Sequence, residues 1–513
     1  MKNARLIIFV LLNAIAALTI FAAPGFYKDL FMDGGLYLSS RTTLPAADTL
    51  GLDWEFLATD SSLIQSEFII TSPNDQNGAL LYPDGSPRFK AFYSNGGSAT
   101  NHGNSLGEEG RNRVRSFFYN GGSYTGSCAG AFIASISYLT SGFREAYYRI
   151  WPGRTASTGL SDSHTGHFIE PASPLLDYFD FGGDSYIANV YHNGGCYARE
   201  DIDFPPETEI LLRYDRSGYT MHNKPSCWAY KASDSTGRIV VIGSHPEGIV
   251  SGERLELMEA IYLYALDGVG MPKIKASLEN SITRTMDKYT SDSLPAFTRI
   301  GDKQYHHFIV NLPEHTDYLT VNLSGESGYD FNLYINNSDI AFESTSVYSD
   351  ISPGATKSIN IRSPGEGEWF IGIECASTVT TTLTSWGYEY SGDIAVLDGL
   401  SYSISASWDT ISTEIVESER PVAIFIGKNY PNPFNTETKI EINLDKKCSV
   451  TAEIYSINGK LIRKLHRGYL PQGKSVLTWS GKNQANKPVS SGLYLFRISN
   501  GKETLTREII LMK

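Results

Sequence analysis

The sequence predicts a multidomain chain: an α/β domain followed by two antiparallel β-sandwich domains. Three observations predict it. At 513 residues the chain exceeds a single core, at roughly 150 residues per domain. Helical and strand-like patterns alternate up to about residue 270, after which helical periodicity disappears. The charge also breaks along the chain. Residues 427–513 hold 15 Lys+Arg against 6 Asp+Glu, whereas the remainder holds 28 against 50.

The amino terminus carries Lys2 and Arg5, then an apolar run from Leu6 to Ala23 ending in small residues. This reads as a signal peptide over residues 1–23. The composition, 41% apolar with 19% charged, is that of a folded polypeptide. The acidic bulk of the chain argues against a nucleic-acid partner. Five cysteines leave at least one thiol unpaired, and Cys196 with Cys227 is the pair expected to bridge if any does.

Residues 24–270 form the expected α/β domain. Strand-like runs at Glu67–Ile70 and Ile239–Ile242 alternate with helical segments at Glu109–Tyr119 and Glu253–Leu266. The last places Leu255, Met258, Ile261, Tyr262 and Ala265 on one stripe, with Ser251 as its expected N-cap and Gly268 as its stop. A linker is expected over 271–293. Half-buried strands then follow at His307–Leu312, Tyr318–Leu323, Asp330–Ile335 and Trp369–Glu374, predicting a β-sandwich over 294–410. A second linker, 411–426, leads to a sandwich over 427–513, in which Asn458-Gly459 suits a tight hairpin.

The chemistry concentrates in residues 119–135, YNGGSYTGSCAGAFIAS. Gly126 and Gly130 flank Cys128 as in a strand-to-helix nucleophile elbow, where a Cβ two residues to either side would collide with backbone. A helix is expected over Ala131–Tyr138, placing Cys128 among unpaired N–H groups that favour a thiolate. The Ala129 amide is one expected oxyanion donor, and Gly97, in the Gly96-Gly97 strand end, the other. An apolar strand then runs into His245-Pro246-Glu247. Residues two apart face the same way there, so His245 is the expected base and Glu247 its orienter.

Asp162, His164, His167, His192 and Cys196 form a second polar cluster, whose spacing fits no zinc pattern. His192, Gly194 and Gly195 are expected to wall a pocket, and neither a metal nor a cofactor is expected. The insertion at residues 72–89, rich in turn residues, is expected to form a hairpin near the substrate side.

Three resemblances extend this reading. The elbow followed by SHPE resembles the class I glutamine amidotransferase superfamily, whose fold is flavodoxin-like. NGGSATNHGNSLGEEGRNRVRSFFYNGGSYTGSCAGAF resembles the domain named after the amino terminus of biotin-protein ligase. This implies nucleophile Cys128, base His245, acid Glu247 and an oxyanion hole of Gly97 and Ala129. HHFIVNLPEHTDYLTVNLSGESGYDFNLYI and GEGEWFIGIE resemble bacterial pre-peptidase C-terminal domains, where Asp330 reads as a solvated turn carboxylate rather than a calcium ligand. NYPNPFN, AEIYSINGKLIRKL, TWSGKNQANKPVSSGLYLFRI and the terminal lysine resemble the type A sorting domain of type IX secretion cargo.

Together these imply a secreted or cell-surface cysteine hydrolase acting on a peptide or amide bond. Residues 427–513 would engage the type IX secretion machinery, with transient outer-membrane contact. The alternative is a surface binding protein that retains the fold without turnover.

Overall fold

The computed structural model describes residues 25–33, 37–39, 43–56, 78–137, 142–290, 294–384, 387–410 and 423–513. The signal peptide, the strand expected at Glu67–Ile70, residues 72–77 of the insertion, Tyr138 and residues 411–422 lie outside them. The chain is multidomain and mostly β, with several sandwich sheets. Among the described residues no helix is long and apolar enough to cross a membrane.

The first domain contains β1 (Lys28–Asp33), α1 (Pro45–Thr49), β2 (Trp54–Phe56), β3 (Phe89–Ser94), α2 (Ala99–Ser105), α3 (Gly107–Tyr119), β4 (Ser123–Ser127) and α4 (Ala129–Ala134). It continues through β5 (Thr155–Ser157), β6 (Ser163–Ile169), β7 (Tyr186–His192), β8 (Cys196–Ala198), β9 (Thr208–Asp215), β10 (Pro225–Tyr230), β11 (Ile239–Ile242) and α5 (Glu253–Leu266). Nine strands form one sheet in the order β2-β1-β3-β4-β11-β10-β9-β6-β7. The first five are parallel and the rest antiparallel.

The parallel strands are apolar on both faces because both are covered. Leu30, Met32, Tyr93, Val240 and Ile242 pack with α1 and α5, whereas Phe31, Phe92, Tyr124 and Val241 pack with α3 and α4. Helix α5 is buried well beyond one stripe, since Leu257, Ala260 and Leu266 are enclosed as well. Gly252 rather than Ser251 caps it, with φ +73°. Helix α4 stops at Ala134, short of the expected length, because Ser135 turns extended at φ −76°, ψ 169°.

The sandwich begins earlier than expected. Ile274–Ser277 joins the five-stranded sheet and Thr283–Met286 the four-stranded one, so most of the expected 271–293 linker belongs to the domain. Three of the predicted strands lie within Tyr305–Leu312, Thr316–Gly325 and Gly367–Cys375, and the one expected at Asp330–Ile335 is observed at Phe331–Asn336, one residue later. The last domain pairs a three-stranded with a four-stranded sheet around Trp479. Asn458-Gly459 turns between Cys448–Ser456 and Leu461–Leu470, with Gly459 at φ +76°.

The described part of the insertion does not approach the substrate side. It docks on the sandwich: Tyr82 donates to the Asp302 carbonyl at 2.8 Å, and Arg88 grips the Asp302 carboxylate through Nε and Nη2 at 3.1 and 3.0 Å. Cys196 and Cys227 are both free, and they pack in cores on opposite faces of the sheet. That separation removes the expected bridge.

Candidate active site

Strand β4 delivers Cys128 to the turn into α4. Its backbone sits at φ +49°, ψ −101°, a region a side chain adopts only when its surroundings force it. The glycines explain the enforcement. A Cβ on Gly126 would meet Gly130 C at 2.7 Å, and one on Gly130 would meet Ser94 O at 2.0 Å. The Cys128 N–H donates to Ile242 O at 2.9 Å, tying the elbow to the neighbouring parallel strand.

At the end of that strand, β11, the chain reaches His245. Its N–H donates to Tyr191 O at 2.8 Å, fixing the backbone against β7. Its Nδ1 lies 3.0 Å from Oε1 of the buried Glu247, and the Cys128 side chain is near enough to act on the charge of the ring. Burial alone would lower the imidazole pKa. The hydrogen bonds and charges of Cys128 and Glu247 outweigh it and raise the value to about 10. At neutral pH this favours the imidazolium form of His245.

Cys128 itself is 5% exposed, and its Sγ lies 3.6 Å from the Asn193 carbonyl oxygen. The Gly96-Gly97 loop closes the other side. Gly97, at φ +145°, stands opposite Leu38 in an antiparallel bridge. The bonds flanking that bridge run from Ser39 N to Gly96 O and from Ser98 N to Tyr37 O. This is the non-hydrogen-bonded pairing, so the Gly97 N–H points away from Leu38. In the elbow, the Gly130 amide is taken by Asn95 O at 3.2 Å, while Ala129 opens the helix.

The structure thus brings together Cys128, His245 and Glu247, with Gly126 and Gly130 shaping the turn and Gly97 and Ala129 bordering it. Of the second cluster it joins His167 and His192 through the Ser244 hydroxyl, at 3.2 and 3.0 Å. His192 is completely buried and bonded at both nitrogens, to Thr158 Oγ1 at 2.7 Å and Ser244 Oγ at 3.0 Å. It lies beneath the site instead of walling a pocket. Gly195 is buried as well, with no room for a Cβ beside Gly243 O, while Gly194 is exposed at φ +71°. Among the described residues no group of His, Cys, Asp or Glu is arranged to hold a metal.

Sequence reasoning missed three contributors. Gly96 packs against the His245 ring, Asn193 presents its carbonyl to the thiol, and Tyr191 lays its ring 5.7 Å from the His245 ring while its hydroxyl donates to Asp162 at 3.1 Å. The legible signals among them were the Gly96-Gly97 pair, read only for its backbone amide, and the Asn193-Gly194-Gly195 turn.

Residues 304–374 match the bacterial pre-peptidase C-terminal domain, and residues 431–503 match the FlgD Ig-like domain. No curated protein matches the chain. Solved structures with partial likeness include PorZ, described as an essential bacterial surface component of the type-IX secretion system of Porphyromonas gingivalis. It is 13% identical at TM-score 0.13, over 26% of this chain and 16% of that one. A β-glucuronidase from Ruminococcus gnavus is 11% identical at TM-score 0.13, over 41% of this chain and 36% of its own. At such scores neither bears on fold or activity. The two family matches are both β domains that follow the site in the chain, and neither covers Cys128, His245 or Glu247.

Proposed function

We propose that the chain is an exported cysteine hydrolase cleaving an amide or peptide bond, with Cys128 as nucleophile, His245 as base and acid, and Glu247 as its orienter. One observation carries this: a cysteine held in a strained elbow faces an imidazole whose second nitrogen is held by a buried carboxylate. The parallel strands run in the order β2-β1-β3-β4-β11, a flavodoxin-like succession that supports the class I glutamine amidotransferase resemblance. Ligands in such sheets bind beyond the carboxyl ends of the strands, where Cys128 stands.

In this mechanism the Cys128 thiolate attacks the carbonyl carbon, and its negative charge moves to the carbonyl oxygen, received by the Ala129 and Gly97 amides. His245 gives its proton to the departing amine, leaving a thioester. It then takes a proton from water, which attacks the thioester, and keeps that proton as the acid leaves, which restores the thiolate and the imidazolium. The pre-peptidase-like sandwich and the Ig-like tail, read as a type A sorting domain, support delivery to the exterior through type IX secretion.

The test is to map iodoacetamide labelling of Cys128 by mass spectrometry at graded pH, and to assay an amide and peptide library with the wild type and Cys128→Ala. Labelling faster than a free thiol at pH about 6, with turnover abolished in the variant, supports a hydrolase. The low exposure of Cys128 favours the second reading, a binding protein with a retained fold. Slow labelling with no cleavage by either protein would establish it.

A further inference from the structure

Beneath the site five buried side chains from five segments of the first domain meet in series. Ser226 on β10 lies 2.7 Å from His167 Nδ1 on β6, and His167 Nε2 lies 3.2 Å from Ser244 Oγ, beyond β11. Ser244 Oγ lies 3.0 Å from His192 Nδ1 on β7, and His192 Nε2 lies 2.7 Å from Thr158 Oγ1, beyond β5. Four of the five residues are wholly enclosed and Thr158 is nearly so.

The direction of every bond follows from its last member. Thr158 Oγ1 donates to the Gly195 carbonyl at 3.0 Å, so toward His192 it accepts and the Nε2 proton resides on His192. A neutral His192 then accepts at Nδ1, which commits the single Ser244 proton to it. Ser244 in turn accepts from His167 Nε2–H, and His167 Nδ1 accepts from Ser226. One direction satisfies all five groups with both imidazoles neutral.

Protonating His192 would take away the acceptor of the Ser244 hydroxyl proton, protonating His167 would do the same to Ser226, and either would place a charge in the interior. The surroundings agree. Burial first and the His245 charge second push His192 down to about 4, and burial first and His192 second push His167 down to about 3. The Tyr214 ring covers both imidazoles at 5.1 and 5.4 Å, and its hydroxyl is spent on Cys196 O.

Two inner members of this chain adjoin the walls of the candidate active site. Ser244 directly precedes His245. His192 directly precedes Asn193, whose carbonyl meets the Cys128 thiol. We propose that Ser226, His167, Ser244, His192 and Thr158 act as positioning residues, a directed hydrogen-bond chain that fixes His245 and the Asn193 carbonyl about Cys128. The inference rests on the cysteine-nucleophile reading above.

The test uses the full chain and iodoacetamide, so no substrate is required. Thr158→Val removes the terminal hydroxyl at nearly constant volume, Thr158→Ser restores it, and Ser244→Ala cuts the middle. Should either cut prevent folding, Ser226→Ala at the far end carries the same test. Cys128 labelling at pH about 6 is expected to slow about tenfold in Thr158→Val and Ser244→Ala, the cost of one hydrogen bond expressed as geometry, and to recover in Thr158→Ser. Wild-type rates in the cut variants, or a Thr158→Ser protein as slow as Thr158→Val, overturn the inference while the hydrolase reading stands. Wild-type labelling no faster than a free thiol removes that reading, and the inference with it.

Discussion

The Gly96 backbone lies directly against the His245 imidazole: a Cβ at Gly96 would stand 2.3 Å from Cε1 and 3.0 Å from Nδ1. The glycine therefore sets the plane of the ring that Glu247 orients, and no side chain fits without moving it.

Gly96→Ala is accordingly expected to displace the ring while leaving the fold intact. A shift of about 1 Å in a reacting group costs about a hundredfold in rate. Cys128 labelling and any turnover should fall by that order, with a thermal midpoint close to wild type. An unchanged rate would show that the imidazole does not act on the thiol.

Glu247→Gln removes the carboxylate that helps hold His245 protonated. With the imidazole raised to about 10 in the folded protein and near 6.5 when unfolded, the pair's stabilisation is complete below pH 6.5 and declines as pH rises toward about 10. In the variant the imidazolium is lost at lower pH. Labelling of Cys128 at neutral pH should slow several-fold, and the alkaline loss of stability should flatten. Parallel titration by thermal melting and alkylation measures both.

The buried neutral histidines act in the opposite sense. His192, lowered to about 4, binds fewer protons folded than unfolded between pH 4 and 6.5, so its contribution is present above 6.5 and lost as pH falls toward about 4. The loss from this residue is about 3 kcal/mol. His167 and His307, both lowered to about 3 chiefly by burial, add to it. The thermal midpoint should drop steeply below pH 6.5, and His192→Gln, which keeps a donor for Thr158, should lower the midpoint at pH 7 yet shallow the acid slope. An acid slope identical to wild type would mean that His192 titrates normally.

What the sequence disclosed divides along physical lines. The elbow was legible because its sterics are local: Gly126, Cys128 and Gly130 lie within five residues. His245 and Glu247 were legible because an extended segment repeats every two residues. The buried chain was not, since Ser226, His167, Ser244, His192 and Thr158 are ordinary residues brought together by sheet topology alone. The start of the sandwich was misplaced because Ile274–Ser277 and Thr283–Met286 are short, largely exposed strands whose pairing partners lie downstream. The Cys196–Cys227 expectation failed for a related reason. Pairing by elimination ignores which face of the sheet each thiol occupies.

The contact between the first domain and the sandwich gives a final prediction. Arg88 is buried, holds Asp302 with two parallel bonds, lies 3.8 Å from the Tyr27 ring and donates to the Tyr390 hydroxyl at 3.2 Å. Tyr390 in turn donates to Glu55 at 2.7 Å. Removing one partner of such a pair leaves a buried charge and costs about 3–5 kcal/mol, whereas replacing both with apolar residues is often near neutral. Arg88→Ala should therefore separate the urea unfolding of the first domain from that of the sandwich it docks on, where the wild type shows these two coupled. Arg88→Met combined with Asp302→Leu should recover most of the coupling through packing against Tyr27 and Tyr390. Separate wild-type transitions for the first domain and the sandwich it docks on, told apart by probes in each, would mean that the pair does not join them, whatever its geometry.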